Sequence, residues 1–154
     1  MPTLEELIAA FKAAEDEGSL QAALDEAGAD YSALFSVALV MKRATKAEAH
    51  LVRHVLGLVE AGILRGELHK SARLLSISAL YSEVWDELRE QTFTLAYGLA
   101  TKSLFHGNYD AAREASYAAA ACAPRGTNRR REANDLALTV ARAALKATKP
   151  PPET

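Results

Sequence analysis

The segment Gly107-Asn108-Tyr109-Asp110-Ala111-Ala112 breaks a long helical pattern with a glycine, an amide and an aromatic, then resumes it with small residues. Two earlier segments repeat the phrase: Gly18-Ser19-Leu20-Gln21-Ala22-Ala23 and Gly66-Glu67-Leu68-His69-Lys70-Ser71. Each holds a Gly, a Leu or Tyr two residues on, and a small residue three further. A phrase that recurs between helix-period segments marks a repeated helix–turn–helix unit. Stacked units of that kind usually offer a surface to a partner rather than a catalytic pocket.

The rest of the composition agrees. The chain has 154 residues, 49% apolar and 25% charged, a length and balance suited to one globular domain. Roughly a fifth of it is alanine, the best helix former and one small enough to let helices approach closely. Runs of β-branched and aromatic residues with alternating polarity are scarce, so strands are not expected. The net charge of -2 is unevenly spread. Residues 1–30 carry eight acids against Lys12 alone, and residues 125–154 carry seven bases against three acids. Opposite ends of this kind are either solvated faces or a means of end-to-end attraction. Cys122 is the single cysteine, which excludes an internal disulfide, and its alanine neighbours suggest a small packing residue. No leader-like start and no membrane-length apolar run is read, so a cytoplasmic protein without a membrane partner is expected.

Helix boundaries are readable along much of the chain. Thr3 with Glu6 forms a capping box ahead of the stripe Leu4, Leu7, Ile8 and Phe11. Gly18 is read as the stop, Ser19 as the cap of a short helix ending at Gly28, and Asp30 as the cap of a third. From Ala33 to Met41 only Ser36 is polar, which predicts a central, buried helix. Thr45 and Glu48 make a second capping box for a helix from about Lys46 to Arg65, with Gly57 and Gly62 inside it. Each internal glycine disfavours the helix by about 1 kcal/mol relative to Ala and so marks a bend or a close contact. Leu68, Ala72, Leu75 and Ala79 share one face of the next helix. Ser82 is read as the cap of a long helix from Glu83 to His106, striped by Trp85, Leu88, Thr92, Leu95, Ala96, Leu99 and Ser103. Tyr109 to Cys122 returns, and Pro124 ends it. The last helix begins near Asn128 after a linker at 125–128. It shows one narrow face, Ala133, Leu136, Ala137, Val140, Ala141, Ala144 and Leu145. Residues 149–154, with three consecutive prolines, read as a disordered tail.

The stretch from Phe93 to Pro124 resembles a tetratricopeptide repeat. Its matching residues are Ala96, Leu99-Ala100, Gly107-Asn108-Tyr109, Ala112, Ala119 and Pro124. The unit around Gly66 agrees at Leu58, Leu68, Ser71 and Ser78 but lacks the closing proline. The three glycines lie 48 and 41 residues apart, against the family's spacing of about 34. The resemblance thus implies an irregular array: an all-α single domain, residues 1–148, of seven or eight antiparallel helices. The alternative is an alanine-rich bundle whose turns use glycine for backbone reasons. In the family the first helix of each unit lines a peptide-binding groove. Carried over, those positions are Thr94, Tyr97, Thr101 and Phe105, with Arg53, Leu56, Glu60 and Ile63 on the Gly66 unit. Tyr97 and Phe105 are the aromatic anchors of such a groove, or else core residues.

Catalytic signals are thin. His50 and His54 lie one turn apart, but two ligands do not make a zinc site and Leu51 stands where a metalloprotease needs Glu; His69 is the only third ligand that suggests itself. There is no Gly-x-Ser-x-Gly elbow and no phosphate loop, and Asp86-Glu87 reads as exposed. No metal, no cofactor and no enzymatic activity are expected. Arg129, Arg130 and Arg131 open the last helix against its dipole, which suggests an anionic-partner patch or solvated charges. Nucleic acid is not expected, because the chain is slightly acidic and no basic–aromatic pattern follows. The resemblance implies a non-enzymatic adaptor for a protein or peptide partner. A self-assembling protein joined by its charged ends, or a ligand-sensing helical domain, are the alternatives.

Overall fold

The structure, a computed structural model, describes residues 1–81, 85–124 and 127–148. Among these residues the chain is all-α, with eight helices and no strand. They are α1 (Leu4–Ala14), α2 (Glu17–Ala27), α3 (Tyr31–Ala38), α4 (Lys46–Leu64), α5 (Leu68–Tyr81), α6 (Asp86–Phe105), α7 (Tyr109–Cys122) and α8 (Asn128–Thr148). None is long and apolar enough to cross a membrane. The expected cap at Ser82 with a start at Glu83, the linker residues 125 and 126, and the tail from 149 lie outside the described residues.

Side-chain caps start the helices where the sequence signals them. Thr3 Oγ1 accepts the Glu6 N–H at 3.2 Å, and Asp30 Oδ2 accepts the Ala33 N–H at 2.9 Å. Thr45 Oγ1 accepts the Glu48 N–H at 3.4 Å, while Glu48 Oε2 reaches back to accept the Ala44 N–H at 2.8 Å. The first break falls elsewhere than expected. Glu15 takes the left-handed conformation (φ 54°) that ends α1, and the Asp16 carboxylate accepts the Ser19 N–H at 2.6 Å. Gly18 is therefore the second residue of α2, not a turn, and Ser19 is the capped residue, not the cap. An ionised carboxylate is the stronger cap, and the backbone hydrogen bond holds the Asp16 carboxyl below its ordinary range.

The other two glycines do turn the chain, and they do so with closely matching geometry. Gly66 and Gly107 have φ of 78° and 74°, the left-handed region that glycine enters without strain. Glu67 N–H donates to the Gly62 carbonyl at 2.9 Å, and Asn108 N–H donates to the Ser103 carbonyl at 2.8 Å. Gly66 N–H donates to Ile63 at 3.0 Å, and Gly107 N–H to Leu104 at 3.1 Å. Every atom pair in the second hinge lies 41 residues after its counterpart in the first. The bounds of α5, shifted by 41, are the bounds of α7. The shift continues into α8. Thr45 caps α4, and 82 residues later Thr127 Oγ1 accepts the Arg130 N–H at 3.3 Å at the start of α8. The two buried residues of α8, Ala133 and Val140, correspond to Thr92 and Leu99 of α6, both buried.

Helix neighbours define two layers. α2, α4, α6 and α8 lie side by side in one, and α3, α5 and α7 in the other, with α1 packed on α2. The apolar run at 33–41 is a correction. It forms a short peripheral helix, with Leu34, Val37 and Ala38 buried and Leu39 64% exposed. The central helix is instead α7, which touches α5, α6 and α8 and buries Ala111, Ala112, Ala115, Ser116, Ala118, Ala119 and Cys122. Buried methyl groups on three sides need little room, so three neighbours fit around it.

Gly62 answers the question its sequence position raised. A Cβ there would lie 2.3 Å from the Ser71 Oγ across the α4–α5 contact, so it marks a close approach. The Ser71 hydroxyl is itself buried without a partner among the described residues. At the repeat-equivalent positions stand Ser103 and Ala112, with the hydroxyl moved to the other helix. Gly62→Ala in the native background is expected to destabilise the fold by about 1–3 kcal/mol, the usual range for overpacking. In a Ser71→Ala background the same change is expected to be neutral or to stabilise by up to about 1 kcal/mol through helix propensity. Denaturant unfolding of the four proteins measures that coupling, and equal effects in both backgrounds would refute the contact.

Candidate functional site

The 41-residue shift aligns exposed stripes on the first layer. On α4 the stripe is Arg53, Gly57, Glu60 and Leu64; on α6 it is Thr94, Gly98, Thr101 and Phe105. On α8 the same positions are Asp135, Thr139, Arg142 and Lys146. All twelve residues are exposed. At one end, Leu64 and Phe105 hold their side chains 88% and 87% in solvent. In the middle, Gly57 and Gly98 leave a shallow floor: a Cβ built on either would meet nothing within 4 Å.

Most of the positions singled out from the sequence share this face. Arg53, Glu60, Thr94, Thr101 and Phe105 are exposed on it. Leu56 is not available there, being 4% exposed in the core. Tyr97, its repeat equivalent, is half-buried and stacked on Phe93 with ring centroids 5.8 Å apart. Ile63 is also half-buried, and the exposed residue in register with Phe105 is its neighbour Leu64. The two exposed glycines were visible as letters, but their shared place in the repeat requires the true period.

The arginine cluster is partly engaged within the chain. Arg129 pairs with Glu90 and sits over the Phe93 ring at 5.2 Å. Arg130 Nη1 donates to the Ala123 carbonyl at 3.2 Å, satisfying the backbone where α7 ends. Arg131 is left exposed. Two of the three side chains thus fasten α8 to α6 and α7, and an anionic partner would have to displace them.

The paired histidines sit in a different feature, an open cleft of about 540 Å³. α2 contributes Glu17 and Gln21, and α4 contributes Lys46, Ala49, His50, Arg53 and His54. Trp85, the residue before α6, forms the remaining wall. His50 Nε2 and Gln21 Oε1 are 2.6 Å apart, so α2 orients that ring. Burial pushes the His54 imidazole below its ordinary pKa; Asp25 opposes the shift and His50 adds to it. His69 does not approach. It lies 3.4 Å from the Glu114 carboxylate on the other layer. Among the described residues no three histidine, cysteine or carboxylate side chains group as metal ligands. Cys122 is buried, and burial pushes its thiol up to about 11, so it is held protonated.

No family model matches the chain, and comparison with curated proteins and with solved structures found no match. Functional reading therefore rests on this geometry.

Two outcomes test the titrating groups. An imidazole whose pKa is lowered by folding takes its proton first in the unfolded chain. Stability is therefore full above the ordinary value near 6.5 and falls as pH drops through the lowered one. Unfolding at pH 7.5 and 5.5 is expected to show a smaller loss in His54→Gln than in the native protein. For Cys122, a thiol near 11 carries about a hundredfold less thiolate at pH 8 than one near 9. A disulfide reagent is expected to label it at least that much more slowly in the folded protein than in denaturant.

Proposed function

We propose that this protein is a non-enzymatic adaptor, tetratricopeptide-like in plan, that holds a segment of a protein partner against the exposed face of α4, α6 and α8. One observation carries the reading. Gly57 and Gly98 occupy the same place in consecutive units, on exposed helix surface, and apart from their own helix's backbone no atom of the described residues lies within 4 Å of where a Cβ would stand. Each disfavours its helix by about 1 kcal/mol relative to Ala, and no close contact with another described element accounts for it. A partner backbone lying in the trough they leave would offset it, because it approaches more closely than any side chain there would allow. Phe105 and Leu64 supply apolar anchors at one end of the trough, and Arg53 and Glu60 supply charges that read the segment's polarity.

Gly57→Ala and Gly98→Ala are each expected to raise unfolding free energy by about 0.5–1 kcal/mol, since the space is empty and the propensity gain is retained. Gly98→Glu and Phe105→Ser are expected to preserve the circular dichroism spectrum and to release the partner. A photo-crosslinking residue at the exposed Thr101, beside the trough, should trap one discrete protein, and the same residue at Lys70 on the other layer should not. Undiminished partner retention by both Gly98→Glu and Phe105→Ser would rule the face out.

A further inference from the structure

The cleft walled by α2, α4 and Trp85 has a chemistry of its own. Its donors outnumber its acceptors. Lys46 and Arg53 stand seven residues apart on one side of α4, with His50 and His54 beside them. Among the described residues neither Lys46 nor Arg53 forms an ion pair. Glu17 is the one carboxylate lining the cleft, and Asp25 acts on His54 from the same helix as Glu17. The Trp85 indole Nε1–H is buried and has no hydrogen-bond partner among the described residues. An indole nitrogen donates and never accepts, so only an acceptor can satisfy it. A buried donor left alone bears the full cost of its lost hydration. That cost is removed by a group that brings acceptor oxygens into a cleft already lined with cations.

From the unpartnered Trp85 Nε1–H and the unpaired Lys46 and Arg53 around one 540 Å³ cleft, we infer that it binds a small oxyanion-bearing ligand, a carboxylate or a phosphate. Arg53 offers a planar fork suited to two oxygens, and Lys46 a point charge from the same helix. The indole donates a single directional hydrogen bond, and Gln21 Oε1 holds the His50 ring in place beside it by accepting from Nε2–H. The volume lies in the range of small-molecule sites. The inference does not depend on partner docking along the glycine trough; only Arg53 is common to both.

Trp85 is the only tryptophan in the chain, so its fluorescence and its indole ¹H–¹⁵N signal report on the cleft alone. The native protein is titrated with inorganic phosphate, with glutarate and with sodium chloride at matched ionic strength. A saturable shift of the indole signal is expected with phosphate or glutarate and not with chloride, and the anion that saturates identifies the ligand class. The apparent affinity is expected to fall at least tenfold in Lys46→Gln and in Arg53→Gln, both changes of exposed side chains that leave the fold intact. Trp85→Phe keeps an aromatic side chain and removes the donor; the His50 and His54 ring signals should then show binding weakened at least fivefold. No saturable shift with either oxyanion, or an unchanged affinity in the Lys46 and Arg53 variants, would overturn the assignment.

Discussion

The close approach of α7 to α5, α6 and α8 depends on side chains that are, over most of its buried surface, no larger than a methyl or hydroxymethyl group. Alanine loses no rotamer entropy on burial, and its helix propensity is the highest, so such a helix forms and packs at little conformational cost. Each methyl gives only a modest hydrophobic gain, on the order of 0.8 kcal/mol per buried carbon. The advantage is geometric. Backbones draw near, and the large side chains of neighbouring helices, such as Leu74, Leu75 and Ile77 of α5 and Leu99 of α6, are buried around the thin central helix. What α7 lacks in apolar area its neighbours supply. The 41-residue congruence of α4–α5 with α6–α7 rests on their hinges, which share a left-handed glycine and the same two closing hydrogen bonds.

The first three helices join this array by different means. α2 continues the first layer and α3 the second, but neither shares the hinge geometry of the later units. Specific polar contacts hold the joints. Arg73 of α5 lies over the Tyr31 ring at 4.6 Å, tying α3 to the second layer. Arg43, in the segment before α4, donates to the Leu80 carbonyl and sits 4.5 Å above the Tyr81 ring. Gln21 meets His50 across α2 and α4. The exposed Lys42–Glu15 pair, at 2.7 Å, contributes far less, because both charges stay solvated.

How much of this was legible follows from what each feature demands of its residues. A left-handed hinge demands glycine, so Gly66 and Gly107 were readable as turns; an N-cap demands a short acceptor, so Thr3, Asp30 and Thr45 were readable as starts. Gly18 carried the same letter without the same need, because Glu15 and Asp16 had already broken and recapped the chain. Apolar density misplaced the centre. The run from Ala33 reads as a core helix, yet a short helix cannot cover three neighbours, and alanine-rich α7 does. The cleft was the least legible feature. Gln21, His50 and Trp85 are far apart in the chain and converge only through the lateral packing of α2, α4 and α6, which no local spacing encodes.

Glycine serves this chain in three physically distinct ways, and the distinction bears on function. At Gly66 and Gly107 the backbone needs it. At Gly62 the neighbouring helix needs it, since any Cβ would strike Ser71. At Gly57 and Gly98 neither reason holds: both residues are helical and exposed, and among the described residues nothing beyond their own helix's backbone lies within 4 Å of a built Cβ. They stand at the same place in two successive units although the residues around them differ, as Arg53 differs from Thr94 and Glu60 from Thr101. Neither backbone conformation nor a described neighbour accounts for them, and that is why the proposed partner face is drawn through them. On the proposed reading a partner backbone lies against this thin strip, with Leu64 and Phe105 exposed at its end; Thr139 stands at the equivalent place on α8, so the thin floor spans α4 and α6 alone.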